Sequence, residues 1–277
     1  MPNPIALPGA SVVITGAARG IGYATARAFL ARGARVFIGD LDGDLARTAA
    51  AELGCSGGQV DVRSRESLGE FLAGVEPPVQ VLVNNAGIMP AGRFVDEPDA
   101  VTDAIVDVNL NGVLRATKLV LPGMLDRGCG HIVNVASYLG ELPAAGLATY
   151  CATKHAVIGF SEALRDELAG TGVTVTTVLP SAVRTDLVSG VKLGGMLPTV
   201  DPDVIADAIV ATCHSRTAVV AVPGWMRSYE AVAALLPDRV VGAVRGRLTR
   251  QRVLRTLDNE ARASYDERVR RDAGADR

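Results

Sequence analysis

The feature that most limits how this chain can fold is a repeated change of period. From Ala10 to about Val220, short β-branched runs alternate with longer stretches of helical periodicity, the pattern of successive βαβ units on a parallel sheet. The expected strands are SVVIT (11–15), ARVFIGD (34–40), GQVD (58–61), VQVLVN (79–84), HIVNVA (131–136), VTVTTVL (173–179) and TAVVAV (217–222). Several are apolar almost throughout, as strands covered by helices on both faces must be. Helices are expected near 20–32, 43–53, 64–74, 99–127, 149–169 and 201–213. Pro98 and Pro202 stand near two starts, and Gly33, Gly54 and Gly170 just past ends. The fold class is therefore α/β: one doubly wound parallel sheet of about seven strands flanked by helices, spanning residues 1–224. No repeat of fixed period and no low-complexity linker divides it. Composition shifts only at the end, where 225–277 holds 12 Arg and no Lys against 8 acidic residues, and this stretch reads as an Arg-rich helical C-terminal extension.

Ligands of such sheets sit where strands turn into helices, and the first of these turns carries TGAARGIG (15–22). Gly16 can take the tight turn, while Gly20 and Gly22 remove side chains where backbone approaches a pyrophosphate and where helix packs close on strand. The helix N-terminus offers N–H groups and a positive dipole to phosphates. The spacing is G-x-x-x-G-x-G instead of G-x-G-x-x-G, so the loop alone also fits a glycine turn used for packing. The second strand ends at Asp40, whose carboxylate can accept from both hydroxyls of an adenosine ribose and would repel a 2′-phosphate, favouring NAD over NADP. Arg19 reads either as a cation within reach of a 2′-phosphate or as the partner of a nearby acid. Asp42 makes the turn acidic, so Asp40 also fits a merely solvated position.

Tyr150 and Lys154 lie four apart on an expected helix and project from one face. A phenol is a poor base at neutral pH. An ammonium beside it, with a positive nicotinamide ring, helps stabilise phenolate and lets Tyr150 take or return an alcohol proton. Alone, Tyr-x-x-x-Lys more often marks an amphipathic surface. Ser137, thirteen residues before Tyr150 and just after HIVNVA, is placed to hydrogen-bond and polarise a carbonyl oxygen.

With Ser137 added to that pair, the sequence resembles the short-chain dehydrogenase/reductase family, whose pattern is Ser, about a dozen residues, then Tyr-x-x-x-Lys. TGAARGIG is similar to its TGxxxGxG loop, Asp61 followed by Val62 to its adenine-contacting Asp, and NNAG (84–87) to the motif after its fourth strand. Asn109 in VNLNG is similar to its helix-interrupting Asn, and PSAVRTD (180–186) to its PGxxxT segment, with Ser181 where glycine is usual. The resemblance implies a Rossmann-like fold and hydride transfer between a nicotinamide and a secondary alcohol or ketone. It implies Asn109, Ser137, Tyr150 and Lys154 as the catalytic set, Asn109 through a carbonyl holding water that links Lys154 to solvent. It places NAD, or NADP as the less favoured choice, along Gly16, Arg19, Gly20, Ile21 and Gly22, with Asp40, Asp61 and Val62 at the adenosine. Asn85, Ala86 and Gly87 follow on its path, then Tyr150 and Lys154 again, then Pro180, with Val183 and Thr185 on the carboxamide. Asn84 is implied to tie strands together, and a homodimer or homotetramer is implied for the assembly.

The stretches bordering the reacting carbon, IMPAGRF (88–94), YLGELPAAGL (138–147) and LVSGVKLGGML (187–197), are mostly apolar. The third, with Gly190, Gly194 and Gly195, reads as a lid near 186–200 over a pocket that suits a lipid-like, steroid or terpenoid alcohol or ketone more than a sugar. The same leucines also fit cover for the domain or a subunit contact, and Lys192 and Arg93 read as solvated, or else as cations for an acidic group. Between Arg239 and Leu257 six Arg and no acid alternate with aliphatic residues near helical spacing. That fits a cationic helix lying peripherally on an anionic membrane, or a helix docked on the body or on a second subunit. Gly242 and Gly246 weaken a helix in either reading.

Other classes are disfavoured. A net charge of −2 gives no general attraction for nucleic acid, and stacking aromatics make up only 4% of the chain. Cys55, Cys129, Cys151 and Cys213 lie far apart, without metal-ligand spacing to His131, His155 or His214, so neither a metal nor a disulfide framework is expected. The opening MPNPIALPGA lacks a basic region followed by an apolar one, and no apolar run reaches about 18 residues, so a cytoplasmic location is expected. The rival to an enzyme is a cofactor-binding regulator or scaffold with reduced catalysis on the same fold. The intact set of Asn109, Ser137, Tyr150 and Lys154 argues for turnover.

Overall fold

The computed structural model describes residues 3–191, 197–227 and 252–275. Seven strands form one sheet: β1 (Ser11–Thr15), β2 (Arg35–Asp40), β3 (Ser56–Gln59), β4 (Val81–Asn84), β5 (Gly130–Val135), β6 (Val173–Pro180) and β9 (Val219–Val222). Every neighbouring pair is parallel, in the order β3-β2-β1-β4-β5-β6-β9. Alternate residues of β1 serve opposite faces, as the pleat requires. Val12 and Ile14 pack with Phe29, Ile205 and Ile209 on one side, and Val13 packs with Leu82, Met124 and Ile132 on the other. The covering helices are α1 (Gly20–Leu30), α2 (Gly43–Leu53), α3 (Arg65–Ala73), α4 (Asp99–Val106), α5 (Gly112–Asp126), α6 (Ala148–Glu167) and α7 (Pro202–Ser215). Strand order reverses between β1 and β4, which opens a crevice at the C-terminal ends of the strands. The fold is the expected Rossmann-like sheet.

The structure corrects or refines the sequence reading at four places. The third strand is Ser56–Gln59, two residues earlier than expected. A Cβ on Gly57 would lie 2.7 Å from Ala50 Cβ and 2.8 Å from Ile38 Cγ1, so a bare backbone fits under α2 where an apolar run was sought. The helix over 99–127 is interrupted by a π-helical turn at Asp107–Asn111, as the likeness of Asn109 to a helix-interrupting Asn implied, and the Asn109 side chain bonds the Ile88 backbone outside its own helix. A short parallel pair, β7 (Ala182–Val183) with β8 (Thr199–Val200), frames the expected lid. Lys192, Gly194 and Gly195 lie outside the described residues.

The fourth place is the C-terminal extension. Its described part is α8 (Arg252–Thr256) and α9 (Asn259–Ala273), while most of the basic stretch from Arg239 lies outside the described residues. Helix α9 is docked on the body, where Tyr265 and Val269 pack against Val101 and Ile105 of α4. Among the described residues no helix is long and apolar enough to cross a membrane.

Candidate active site

The glycine loop is built by contacts that leave no room for side chains. Gly16 has φ +63°, and a Cβ there would lie 2.7 Å from Ala86 Cα; one on Gly22 would lie 2.5 Å from the Gly16 carbonyl oxygen. Thr15 Oγ1 accepts from Asn85 N at 3.1 Å and Ala86 N at 3.2 Å, and Asn85 Nδ2 donates to the Thr15 and Gly16 carbonyls at 3.0 and 2.8 Å. The ends of β1 and β4 are thereby locked together. The first turn of α1 holds no acidic residue, and Arg19 at its N-cap makes no side-chain capping bond. Its leading N–H groups are thus left for a ligand's phosphates, and the residues present fit a dinucleotide.

Asp40 ends β2 with one oxygen accepting from Ala18 N at 3.1 Å and the other from Asp42 N at 3.3 Å. Arg19 reaches Asp186 at 3.7 Å across the groove. Asp61 follows β3 and is forked by Arg63 at 2.9 Å. Burial works against the Asp61 charge, but the hydrogen bonds and charge of Arg63 win and hold its carboxyl below the usual range.

A cavity of about 810 Å³ runs from Asp40 and Asp61 past Gly16 and Gly87 to Ser137 and Tyr150. Arg19, Gly20, Ile21, Val62, Asn85, Ala86, Lys154, Pro180, Val183 and Thr185 also line it. Of the site residues expected from sequence, only Gly22 and Asn109 stand behind its wall. Asn84 is buried in the sheet, donating to Asn134 Oδ1 at 2.9 Å.

At the other end of the cavity, the chain leaving β5 supplies Ser137, and the first turns of α6 supply Tyr150 and Lys154. Ser137 Oγ accepts from Leu139 N at 3.1 Å, and Ser137 lines the same cavity as the Tyr150 phenol. Burial pushes that phenol above its ordinary pKa, and the Ser137 hydroxyl pulls the other way. Lys154 Nζ donates to the Val135 carbonyl at 2.8 Å and lies 5.8 Å from the Tyr150 ring centroid. Burial brings its pKa down to about 8. Asn109 is fully buried, taking Ile88 N on Oδ1 at 2.8 Å and giving Nδ2 to the Ile88 carbonyl at 2.9 Å and to Thr153 Oγ1 at 3.2 Å. A Cβ on Gly87 would lie 3.3 Å from Asn109 Oδ1 and 3.5 Å from Lys154 Nζ, so this glycine lets the two polar groups approach each other.

This arrangement belongs to a recognisable lineage. A family model described as short chain dehydrogenase matches residues 10–193. The chain belongs to the short-chain dehydrogenase family. It is 32% identical over 265 residues to the probable oxidoreductase EphD of Mycobacterium tuberculosis, a match covering 86% of this chain and 45% of that longer protein. The chain thus spans about half the length of that relative. A putative ketoacyl reductase of Streptomyces coelicolor is 41% identical over 190 residues, covering 65% of this chain and 73% of the relative. Among solved structures, a 3-oxoacyl-acyl carrier protein reductase from Brucella melitensis with bound NAD superposes with a TM-score of 0.71 at 30% identity, over 78% of this chain and 90% of that one.

Within this short-chain dehydrogenase, sequence reasoning missed several residues. Thr15 and Thr153 brace the groove from behind, and Ser181 gives a reason for its place where glycine is usual: its hydroxyl donates to the Pro198 carbonyl at 2.6 Å, anchoring the lid's far end. Tyr265 and Arg268 reach the cavity from the extension, and the buried Arg262 packs on the Tyr265 ring. Their one local signal is Tyr265 and Val269 four apart in an otherwise charged helix, a two-residue apolar stripe.

Proposed function

We propose that this short-chain dehydrogenase transfers a hydride between NAD(H) and a secondary alcohol or ketone of apolar character, with Tyr150 as the acid/base. The observation that carries the reading is the buried cluster of Ser137, Tyr150 and Lys154 at one end of a dinucleotide-sized cavity. A bound nicotinamide would supply the hydride donor or acceptor. In the direction of reduction, Ser137 donates to the carbonyl oxygen, its own oxygen being already satisfied by Leu139 N. The Tyr150 phenol, held neutral by burial, gives its proton to the same oxygen. The Lys154 ammonium then stabilises the phenolate left behind, and the Asn109 carbonyl in the widened turn serves the return of a proton through Lys154.

The apolar preference rests on the cluster walling this end, which includes Met89, Leu139, Leu142, Leu147, Val191 and Leu197. The preference for NAD rests on the Asp40 carboxylate, which two backbone N–H groups hold at the adenosine end. The ketoacyl reductases among the relatives favour reduction of a ketone as the working direction. Following absorbance at 340 nm over a panel of apolar ketones tests the proposal. Turnover with NADH exceeding that with NADPH is the expected result. No turnover of any ketone or alcohol refutes the enzyme reading, and a preference for NADPH refutes the role given to Asp40.

A further inference from the structure

The family match ends at residue 193, yet α9, which begins at Asn259, forms a wall of the same cavity through Tyr265, Arg268 and Val269. Tyr265 is 6% exposed, and its phenol oxygen accepts the Met89 N–H at 2.7 Å. That bond leaves the phenol hydrogen to be donated, and no acceptor for it exists among the described residues. The ring is fixed by two guanidinium groups, Arg262 at 4.6 Å and Arg268 at 5.4 Å from its centroid.

Arg262 is itself fully buried. It donates to the carbonyls of Met89, Leu187 and Ser189 and pairs with Asp266 at 3.0 Å. One side chain thus ties the loop after β4 to the lid after β7, with Tyr265 set beside both. Gly190 permits the approach: a Cβ there would lie 2.5 Å from the Asp258 carbonyl oxygen, and Asp258 N donates to the Gly190 carbonyl at 2.9 Å. Met89, whose N–H bonds the Tyr265 oxygen, belongs to the same apolar cluster as Tyr150. Tyr150 and Tyr265 both line the cavity.

Resting on the reading of Tyr150 as the acid/base, we propose that Tyr265 donates a hydrogen bond to a second oxygen of the substrate. The C-terminal helix thereby selects ketones that carry another oxygen acceptor near the reacting carbonyl over plain ketones. Ethyl 3-oxohexanoate and 4-nonanone have the same chain length and differ in the ester oxygens, and their NADH-dependent reduction by wild type and by Tyr265→Phe provides the test. In the variant, KM for the ester rises about tenfold, while kcat/KM on 4-nonanone stays within about twofold and the NADH dissociation constant is unchanged. Phenylalanine keeps the ring beneath Arg262, so turnover of 4-nonanone doubles as the control for folding. An equal loss on both ketones, or no loss on the ester, overturns the assignment of Tyr265 alone. A wild type that binds NADH yet reduces neither ketone defeats the hydride-transfer reading and this inference with it.

Discussion

The two ends of β5 bury the same kind of chemistry and put it to different use. At the start of the strand, His131 is fully buried, with Nδ1 at 2.8 Å from Thr174 Oγ1 and Nε2 at 2.9 Å from Thr212 Oγ1. Arg216 closes the group by donating to Thr174 Oγ1 and the Gly130 carbonyl. At the other end, Lys154 is buried against the Val135 carbonyl, and Ser137 and Tyr150 follow. Burial disfavours the charged form at both, bringing His131 down to about 3, with the Arg216 charge adding to the effect, and Lys154 down to about 8. What separates them is unused bonding capacity. Both ring nitrogens of His131 are satisfied and lie outside the lining of the large cavity, whereas Ser137 and Tyr150 line it. A perturbed pKa marks a candidate site only where a ligand can reach the group.

Variants at the two ends ought to separate function from stability. The largest effect is expected at Lys154→Met, which lowers kcat by about 100-fold in the NADH assay. The melting temperature holds or rises, because methionine fills the space without desolvating a charge. At the opposite end, His131→Leu leaves kcat within about twofold and costs roughly 1–3 kcal/mol in urea unfolding. A kcat loss there comparable to that of Lys154→Met would break the comparison.

The pH dependence of stability sharpens it. Between pH 3 and the unfolded value of 6.5 the unfolded His131 binds a proton that the folded protein excludes, so stability rises with pH through that window. His131 therefore destabilises the fold by roughly 2 kcal/mol at pH 5 relative to pH 7, and His131→Leu removes that part of the slope. Asp40 is intermediate, since it lines the cavity while both its oxygens accept from the loop. The smallest change is expected at Asp40→Ala, a shift of about tenfold in the NADH to NADPH ratio of kcat/KM, with little effect on kcat itself.

How much of this was legible in the sequence follows the distance over which each contact forms. The glycine loop, Asp40, and the spacing of Ser137, Tyr150 and Lys154 are local patterns, and the sheet delivers each to the edge where its strand ends. The third strand was displaced because Ser56, Gly57 and Gly58 carry no apolar signal, and only packing under α2 makes them a strand. The interruption at Asn109 was legible through family resemblance, while its cause, a pairing with the Ile88 backbone, depends on tertiary structure. Tyr265 was out of reach for the same reason. Its bond to Met89 spans 176 positions of sequence, and no period or motif announces a contact made by a tail folding back over the groove.

The claim that the C-terminal end of β5 is the reacting end is tested most directly by Tyr150→Phe, with NADH binding and ketone reduction measured on the same preparation. The phenyl ring preserves the packing and removes one hydroxyl. Unchanged NADH affinity with kcat reduced by at least about 100-fold is the predicted result. Turnover equal to wild type with NADH still bound would contradict it.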